Sequence, residues 1–508
     1  MLSHLWLGNK YAIIYMVFAE KKSTLDKGRI ESMNIIQQLL TQLPKNIVLT
    51  GAENTRPFEC DGLSVYRQKP LAVVLPENIE QVKQVLKVCK EYDTPVVTRG
   101  AGTGLAGGAM PLEKSIVLGL SKLNQVKSID VENRLAVVEP GVRNIAISES
   151  VSGFGLYYAP DPSSQIACTI GGNVAENSGG VHCLKYGLTV HNVEAIKMLT
   201  IDGDELALSR QDDGLGLLAL MNGSEGLLGI ITEITVKLTP TPALARVVMA
   251  GFDSVRECAN VVADIIKAGI IPAGLEMMDS FAIEAAEGFA GVGYPLTAQA
   301  LLLCELDGTQ TQVQTELDAV LKILSNASSL KVSASEEERL NLWKGRKSAF
   351  PAVGRLSPDY YCMDGTIPRR HLADMLEKIN ELSQKYQLRV ANVFHAGDGN
   401  LHPLILYDAN VAGELEKVEE FGTEILKLSV DMGGTITGEH GVGVEKLNAM
   451  CHQFNSKELA IFHKIKAAFD PKSLLNPGKA VPELHRCAEL GAMHVHHGKL
   501  PHPELERF

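Results

Sequence analysis

The stretch RGAGTGLAGGAMP, residues 99–111, decides how the first half of the chain folds. It contains GTGLAG, a formal match to the GxGxxG fingerprint of dinucleotide-binding folds, which must open a helix whose N-terminus holds the pyrophosphate. Here Pro111 and the strand-like run SIVLGL follow within a few residues, so no helix fits. We therefore predict a loop between two strands, whose successive backbone N–H groups form a concave site for a diphosphate. A merely flexible glycine loop is the alternative.

Strand and helix patterns alternate around this loop. LAVVL (71–75) and PVVT (95–98) predict strands, and PENIEQVKQVLKVCKEYD between them has the apolar spacing of a helix led by Pro76. These segments predict a βαβ unit. The apolar runs RLAVVEP, VEAIKMLTI and GIITEITVKL continue the pattern to about residue 240 and predict one α+β domain. TPTPAL (239–244), with its two prolines, is expected to be a linker.

A second α+β domain is expected after this linker. RVVMAGF and QALLLCEL have strand patterns, and each precedes a helical pattern, so they predict two βα pieces. The second domain is predicted to end near residue 480, in helices through KELAIFHKIKAAFD and then DPKSLLNPGK. The predicted division is an N-terminal extension with a leading helix (1–54), a first domain (55–240), a second domain (245–480) and a tail (481–508) with little periodicity.

Length, charge and cysteine content exclude some classes of protein. A chain of 508 residues is expected to form two or three domains. Its net charge of −12, without a block of positive charge, argues against nucleic-acid binding. Nine cysteines without a CxxC pair are typical of a reducing compartment and exclude a ferredoxin-type iron–sulfur cluster within the chain. We expect a cytoplasmic protein.

The N-terminal run LWLGNKYAIIYMVFA is apolar but does not predict a membrane span. It is shorter than the roughly 18 to 20 residues that a span needs, and Lys10 interrupts it. Lys21 and Lys22 follow the run, whereas a secretory signal has its positive charges first. We expect an extension without function, with initiation at Met33 as one option. A peripheral anchor at the inner face of the cell membrane is the alternative.

Two further glycine-rich segments lie in the first domain. PDPSSQIACTIGGNVAENSGGVHCLKYG (160–187) and NGSEGLLGIIT (222–232) contain more small residues than packing requires. Glycine lets a backbone approach a flat ligand closely. Together with the loop at 99–111, the two segments predict an extended cofactor.

Two histidines, His395 and His402, flank a turn in FHAGDGNLHPL. Asp398-Gly399 predicts a type I′ hairpin turn, which would place the histidines directly opposite each other on one face of a sheet. Some forty positions later, TGEHGVG sets Glu439 among glycines that leave it free to approach the hairpin. Two histidines and one carboxylate suit Zn²⁺, Fe²⁺ or Mn²⁺. Two hydrogen-bonded core histidines beside a solvated Glu-His pair are the alternative.

These segments together resemble a known family. RGAGTG, TIGGNVAENSGG, GSEGLLGIIT, WKGRKSAFPAVGRLSPDYYCMDGTIPRR, HAGDGNLHPL, GEHGVG and LLNPGK resemble the FAD-linked 2-hydroxyacid dehydrogenases of the vanillyl-alcohol oxidase and p-cresol methylhydroxylase (PCMH) superfamily. The resemblance covers nearly all of residues 55–508, and the tail HRCAELGAMHVHHG is similar to that of FAD-bearing subunits of bacterial glycolate oxidases. It implies an α+β fold with a PCMH-type FAD-binding domain and a C-terminal FAD-linked oxidase domain, in which helices flank an antiparallel sheet.

The resemblance also implies where FAD binds. The diphosphate is expected on residues 100–104, with 160–180 and 223–231 along the isoalloxazine and adenine portions. Thr103 occupies the place of the histidine to which some relatives attach FAD, so non-covalent FAD is expected. The implied FAD-binding residues are Arg99, Gly100, Ala101, Gly102, Thr103, Gly104, Pro160, Asp161, Ser164, Thr169, Gly171, Gly172, Asn173, Asn177, Gly179, Gly180, Glu225, Gly229, Ile231 and Asn476.

For the second domain, the resemblance implies a metal site beside an acid–base group. His395, His402 and Glu439 are the implied ligands of a divalent Zn, Mn or Fe ion. His440 is the implied base. These roles extend the metal set proposed from spacing alone, because they give the two neighbouring residues of GEHG separate tasks.

Substrate recognition is implied for the segment WKGRKSAF. Arg346 matches the position that binds the substrate carboxylate, a task that suits its planar set of donors. A solvated helix face is the alternative for this arginine. Phe350 and Met363 occupy the places where relatives that oxidise 2-hydroxyglutarate carry polar residues, which favours a small substrate.

The implied reaction is oxidation of a small 2-hydroxyacid by hydride transfer to flavin N5, with metal-assisted removal of the hydroxyl proton. Glycolate would give glyoxylate, and D-lactate would give pyruvate. The resemblance implies a glycolate oxidase complex in which electrons pass to an iron–sulfur subunit and a second FAD-domain subunit is present. The alternatives are a D-lactate dehydrogenase without a partner complex, a non-catalytic FAD-binding subunit, and a metal-dependent hydrolase, which would leave the glycine segments without a role.

Overall fold

The computed structural model of the chain describes residues 33–483. The expectations for the N-terminal extension up to residue 32 and for the tail from residue 484 lie outside the described residues. The strands are β1 (Val48–Leu49), β2 (Ala72–Val74), β3 (Val96–Arg99), β4 (Ile116–Gly119), β5 (Val126–Asp130), β6 (Leu135–Val138), β7 (Leu156–Tyr157), β8 (Val193–Leu199), β9 (Glu205–Ser209), β10 (Ile230–Lys237), β11 (Thr239–Pro240), β12 (Leu244–Phe252), β13 (Gly274–Asp279), β14 (Ala300–Gly308), β15 (Ser329–Val332), β16 (Asp359–Cys362), β17 (Val390–His395) and β18 (Pro403–Tyr407).

Helices of very different lengths connect these strands. A membrane-crossing helix would need more length and more apolar character than any helix within residues 33–483 has. The helices are α1 (33–42), α2 (Ala52–Thr55), α3 (Ile79–Glu91), α4 (Asn144–Val151), α5 (Ile170–Glu176), α6 (Cys183–Tyr186), α7 (Thr189–Asn192), α8 (Leu217–Met221), α9 (Val255–Lys267), α10 (Ser280–Ala290), α11 (Gln310–Ile323), α12 (Glu336–Lys347), α13 (Ala349–Val353), α14 (Leu372–Tyr386), α15 (Glu414–Asp431), α16 (Leu447–Gln453) and α17 (Ser456–Phe469).

The first sheet has the strand order β1-β2-β4-β3. β2, α3 and β3 form the predicted βαβ unit, and β4 lies between its two strands and runs parallel to both. α3 begins after Asn78, whose side chain accepts a hydrogen bond from the Gln81 N–H and so caps the helix. No helix lies between β3 and β4. The prediction that the glycine stretch 99–111 joins two strands is therefore confirmed.

The second sheet is antiparallel, with the order β5-β6-β10-β8-β9. Its strands β6, β8 and β10 are the apolar runs predicted from the sequence. Part of the segment that was expected to be a linker is also ordered as a strand, because β11 pairs with β7. Pro240 is tolerated there because the pair consists of two short strands without further neighbours.

The third sheet carries the second half of the chain and has the order β15-β12-β14-β13-β17-β18-β16, with antiparallel neighbours throughout. Alternate residues of β12 face opposite sides, as in any strand. Val248 and Ala250 pack with α9, α11, α14 and α15, whereas Val247 and Met249 pack with α10, α12 and α13. Helices therefore cover both faces of an antiparallel sheet, which confirms the expected fold class.

The end of the described chain returns to the first sheet. Leu475 forms a parallel bridge with Val96, so the segment after α17 lines the free edge of β3. This segment, DPKSLLNPGK, contains no helix, so the helix predicted there is wrong. The reason is its backbone pairing with β3, which an isolated sequence pattern does not reveal. The buried Lys466 fixes the return, because its Nζ donates to Leu227 O and Leu475 O, both at 2.7 Å.

Candidate active site at the junction of the two halves of the chain

A cavity of about 360 Å³ is lined by all three glycine segments and by Phe350, His402, Glu439 and His440 from the second half of the chain. Segments far apart in sequence thus meet at one site, as the glycine pattern predicts for an extended cofactor. The implied FAD-binding residues in the lining are Gly100, Ala101, Gly102, Thr103, Gly104, Ser164, Thr169, Gly171, Gly172, Asn173, Glu225, Gly229 and Ile231.

The first-domain wall of this cavity fits a flat polar cofactor. Much of it is glycine backbone, and a Cβ added at Gly100 would collide with the Thr169 hydroxyl oxygen. That oxygen is buried without a hydrogen-bond partner within the described chain. A buried polar group left without a partner costs free energy, so a ligand that bonds to Thr169 relieves this cost.

Several of the implied FAD-binding residues lie outside the lining. Asn476 supports the wall from behind, since its Nδ2 donates to Gly108 O at 3.1 Å and to Glu225 O at 2.7 Å. Gly179 borders the other domain, where an added Cβ would come within 2.7 Å of Glu439 Oε2. The implied residues that are not in the lining are Arg99, Pro160, Asp161, Asn177, Gly179, Gly180 and Asn476.

His395 and His402 share one face of the third sheet, with ring centroids 5.1 Å apart. The shared face was predicted, but the predicted register is wrong, because His395 pairs with Asn400 instead of His402. The turn contains four residues, 396–399, and the Gly399 N–H donates to His395 O across it. Only Gly399 of the predicted turn pair has a positive φ, at 82°, and type I′ needs two such residues. The two histidines are therefore diagonal neighbours.

The Glu439 carboxylate completes a set of three ligand-type side chains. Its Oε1 lies 3.4 Å from His395 Nε2 and 3.2 Å from His402 Nε2. Although burial opposes ionisation, the close approach of His395 and the charges of the neighbouring histidines lower the pKa of Glu439 to about 2. Both histidine Nε2 atoms are buried and lack a hydrogen-bond partner within residues 33–483. The alternative of two hydrogen-bonded core histidines therefore does not describe these nitrogens.

This set fits a divalent cation. The ligand atoms of His395, His402 and Glu439 lie within 4.8 Å of one another, and a cation between them would satisfy both orphaned nitrogens. Asp364, His402 and His440 form a second set with the same spread. Asp364 is the poorer ligand, because its carboxylate already accepts several backbone hydrogen bonds.

Asp364 holds the loop that carries Glu439 and His440, and the sequence reasoning missed it. Its fully buried carboxylate accepts N–H bonds from Gly438 at 3.1 Å, Glu439 at 3.1 Å and His440 at 2.9 Å. Although burial opposes its charge, His440 and the Lys446 ammonium hold the pKa of Asp364 well below its ordinary value. The loop thus has a fixed, ionised anchor.

The His440 ring lies at the cavity wall and stacks on His402, with ring centroids 4.9 Å apart and an angle of 3° between the planes. Its Nε2 is 4.0 Å from Glu439 Oε1. Burial lowers the pKa of His440 to about 4, so its imidazole is neutral at neutral pH. A neutral imidazole at a cavity wall is able to accept a proton.

Glu276 joins two residues for which the resemblance implies separate roles. It lies opposite His395 on the neighbouring strand β13, and its Oε1 accepts a hydrogen bond from His395 Nδ1 at 2.7 Å. Its Oε2 is 2.7 Å from Arg346 Nη2. Arg346 is only 2% exposed, so the alternative of a solvated helix face is wrong. The signal for Glu276 in the sequence is a carboxylate inside the otherwise apolar run GLEMM.

The two residues that were expected to favour a small substrate have different surroundings. Phe350 lines the cavity and meets His402 edge to face, with centroids 6.3 Å apart. Met363 is buried and packs against Gly422 on α15, outside the lining. The expected role of Met363 is therefore wrong, because it follows β16 on the side that faces the helices.

Two carboxylates of the first domain, Glu176 and Glu225, also line the cavity. Glu225 Oε1 and Oε2 accept the N–H groups of Val442 and Gly443, each at 2.7 Å, whereas Glu176 Oε2 is buried and accepts none within the described chain. Burial, and next the charge of Glu225, raise the pKa of Glu176 well above its ordinary value. Of the two, Glu176 therefore holds the proton.

Comparison with known proteins shows the family of the chain. Residues 70–209 match the family described as "FAD binding domain", and residues 241–480 match "FAD linked oxidases, C-terminal domain". The chain is 58% identical to the glycolate oxidase subunit GlcD of Escherichia coli (strain K12), over 94% of this chain and 97% of the relative. The chain belongs to the FAD-linked oxidases. Like other members of this family it is a flavin-dependent oxidoreductase that binds FAD, which confirms the expectation of FAD and the expected enzyme class.

Further relatives are similar to this chain along most of their length. The GlcD subunit of Bacillus subtilis (strain 168) is 39% identical, over 83% of this chain and 91% of the relative. A D-lactate dehydrogenase of Anaerostipes hadrus is 31% identical, over 88% and 96% respectively. A solved p-cresol methylhydroxylase structure with substrate bound aligns with a TM-score of 0.76 at 17% identity, covering 90% of this chain and 98% of that one. This likeness shows the fold alone, and that fold agrees with the expected PCMH-type architecture.

Replacing Glu176 is expected to stabilise this oxidase increasingly as pH rises. Around Glu176 lie Glu225, Asp61, Lys446 and Lys479, and its raised pKa keeps it protonated in the folded state. In the unfolded chain the carboxyl ionises above about pH 4.3, so native stability falls by up to about 1.4 kcal/mol per pH unit until the folded pKa is reached. Glu176→Gln removes this loss.

The measurement is the Tm of holoenzyme between pH 5 and pH 8, with Glu80→Gln as the control. Glu80 is the matched choice because its side chain is 80% exposed. We expect a Tm gain for Glu176→Gln that is larger at pH 8 than at pH 5. A gain that is equal at both pH values contradicts the assignment of the proton to Glu176.

Proposed function

We propose that this oxidase converts a small 2-hydroxyacid to the 2-oxoacid, with glycolate or D-lactate as substrate. One observation carries the proposal: His402, Glu439 and His440 lie in the wall of the same cavity that the glycine segments line. Two members of the metal-type ligand set and a neutral imidazole thus share one cavity with the FAD-type loops, and His395 lies directly behind them. Relatives named glycolate oxidase subunit and D-lactate dehydrogenase support this substrate class.

When bound, FAD supplies a hydride acceptor, and a divalent cation supplies a Lewis acid that lowers the pKa of an alcohol. The side chains of this chain orient the substrate and move its proton. His395, His402 and Glu439 are the proposed metal ligands, with Zn, Mn or Fe as the candidate ion, and Glu276 fixes the His395 ring so that Nε2 faces the site. His440 is the proposed base, and it takes the hydroxyl proton at Nε2, on its Glu439 side.

Two further residues are proposed to recognise the substrate. Arg346 is the proposed partner of the substrate carboxylate. Its Nη2 pairs with Glu276 and it does not line the cavity, so that contact requires the ion pair to open. Phe350 places an apolar ring beside His402, which disfavours a second carboxylate at this wall and supports a short substrate.

We also propose that the electrons leave through other subunits. The nine cysteines of the chain include no CxxC pair, so an iron–sulfur carrier of ferredoxin type belongs to a separate chain. Relatives at 58% and 39% identity are named as subunits of glycolate oxidase. An iron–sulfur subunit and a second FAD-domain subunit are the proposed partners, and a D-lactate dehydrogenase without partners is the second candidate.

The test is anaerobic reduction of the bound flavin by a panel of substrates. We expect glycolate or D-lactate to bleach the flavin absorbance, 2-hydroxyglutarate to do so poorly, and a strong chelator to slow the bleaching until Zn²⁺ or Mn²⁺ is restored. A flavin that no 2-hydroxyacid reduces supports a non-catalytic subunit. Full activity in metal-free enzyme, checked by elemental analysis, contradicts the metal ligands.

His440→Ala is expected to slow flavin reduction by about 100-fold or more, because a general base contributes on this order. FAD and metal content are expected to stay at the wild-type level, since neither depends on this ring in the proposed site. Stopped-flow absorbance measures the rate, and elemental analysis measures the metal. An unchanged rate of flavin reduction excludes His440 as the base.

Phe350→Ala is expected to widen the substrate range. Removing the ring opens space beside His402, so longer 2-hydroxyacids should gain in kcat/KM relative to glycolate by about tenfold, on the scale of a pocket contact of 1–3 kcal/mol. Met363→Ala is the control, because Met363 lies outside the cavity lining. Equal shifts in both variants would contradict a direct role for Phe350 in substrate size.

A further inference from the structure

The glycine loop that carries His440 is held from both sides by carboxylates of different domains. On one side, Asp364 accepts the backbone N–H groups of residues 438–440. On the other side, Glu225 from the FAD-binding half accepts those of Val442 and Gly443, each at 2.7 Å. His440 lies between the two grips, so its position depends on both halves of the chain.

Glu225 is itself fixed in an unusual backbone conformation. Its φ is 49°, in the left-handed region that a residue other than glycine seldom occupies. Its backbone N–H donates to Ala175 O at 2.8 Å, and its carbonyl oxygen accepts from Asn476 at 2.7 Å. The side chain is buried, with 6% exposure for the residue. Such a conformation persists only where neighbouring contacts hold the backbone in place. Here it directs the Glu225 carboxylate across the junction.

The loop lies directly on the FAD-binding half next to this contact. The N–H groups of Val444 and Glu445 donate to Ala106 O, within the first glycine stretch, at 2.9 and 3.2 Å. Gly441 has φ 81°, and an added Cβ would collide with Glu176 Oε2. Lys446 Nζ closes the turn by donating to Gly441 O at 2.8 Å. At position 441, no side chain larger than hydrogen fits between the loop and these carboxylates.

We propose that Glu225 is a positioning residue for catalysis, which holds His440 at the cavity wall by accepting the Val442 and Gly443 N–H groups across the domain junction. The proposed base, His440, is then positioned by the same half of the chain that binds FAD. The hydride acceptor and the proton acceptor are therefore held in a fixed position relative to each other. This inference rests on the proposed function, because it assigns Glu225 a role in the reaction of that site. It also gives Glu225 a task other than contact with FAD.

The chemistry of the contact defines the sharpest variant. A carboxylate accepts with both oxygens, whereas a glutamine amide accepts with one atom and turns an N–H₂ group toward the second backbone N–H. Glu225→Gln therefore keeps the side-chain volume and removes one of the two hydrogen bonds to the loop. Glu225→Asp keeps both oxygens but withdraws them by one methylene, so it tests the same contact by another route.

Hydrogen–deuterium exchange of the FAD-loaded enzyme tests the contact. We expect both variants to raise the exchange rate of peptides that cover 438–446 by about tenfold or more, because a protecting hydrogen bond is lost. Glu233→Gln is the matched control, since Glu233 lies on β10 of the same domain and pairs with the surface lysines Lys127 and Lys197. Unchanged exchange in peptides 438–446 of both variants overturns the proposal.

Flavin reduction tests the consequence for catalysis. At saturating substrate, the reduction rate is expected to fall about 10- to 100-fold in both variants, because misplacing a reacting group by about an ångström lowers a rate on this scale. The substrate concentration for half-saturation and the FAD content are expected to stay within twofold of wild type, a split that general destabilisation would not produce. A rate loss that follows loss of FAD assigns Glu225 to cofactor binding and overturns the proposal.

The two hypotheses fail in different ways. If no 2-hydroxyacid reduces wild-type flavin, the proposed function fails, while the exchange of peptides 438–446 still reports whether Glu225 holds the loop. If wild type is reduced and Glu225→Gln is reduced equally fast, the proposed function stands and the positioning role of Glu225 is wrong.

Discussion

The grip of Asp364 and Glu225 on the glycine loop is the contact on which the site depends. An ionised carboxylate has only acceptor atoms, so it is able to satisfy several backbone N–H groups that would otherwise be buried without partners. Between them, the two carboxylates accept from residues 438–440 and 442–443. Without these acceptors a loop so rich in glycine would sample many conformations, and Glu439 would not meet the histidine hairpin in one defined place.

Features that depend on local sequence were predictable. The glycine stretch 99–111 had to be a loop because no helix fits before the next strand, and the apolar periods of α3, α9 and α11 gave helices where expected. The resemblance identified the family, and with it an FAD-binding domain followed by an FAD-linked oxidase domain. It also named His395, His402, Glu439 and His440, which the structure brings together. Each of these predictions rests on residues that lie close in sequence or form a shared motif.

Features that depend on long-range pairing were not predictable. The register of the His395 hairpin follows from a turn of four residues, and an Asp-Gly pair alone does not distinguish it from a turn of two. The sequence around Leu475 has the pattern of a helix end, but in the structure this segment pairs with the free edge of β3. Glu276 and Asp364 act on residues more than 70 positions away. No spacing rule connects such partners, so only the fold reveals them.

The junction between the two halves of the chain concentrates buried charge. Glu176, Glu225, Lys446 and Lys479 meet there, and burial lowers the pKa of Lys479 to about 7. Buried ion pairs contribute little net stability, because desolvation offsets their attraction. Separate hydrophobic clusters flank the third sheet and fill the first one, and one of them includes Val442 of the loop that Glu225 holds. Since apolar burial supplies the main favourable free energy of folding, the charged contacts contribute chiefly to the geometry of the site.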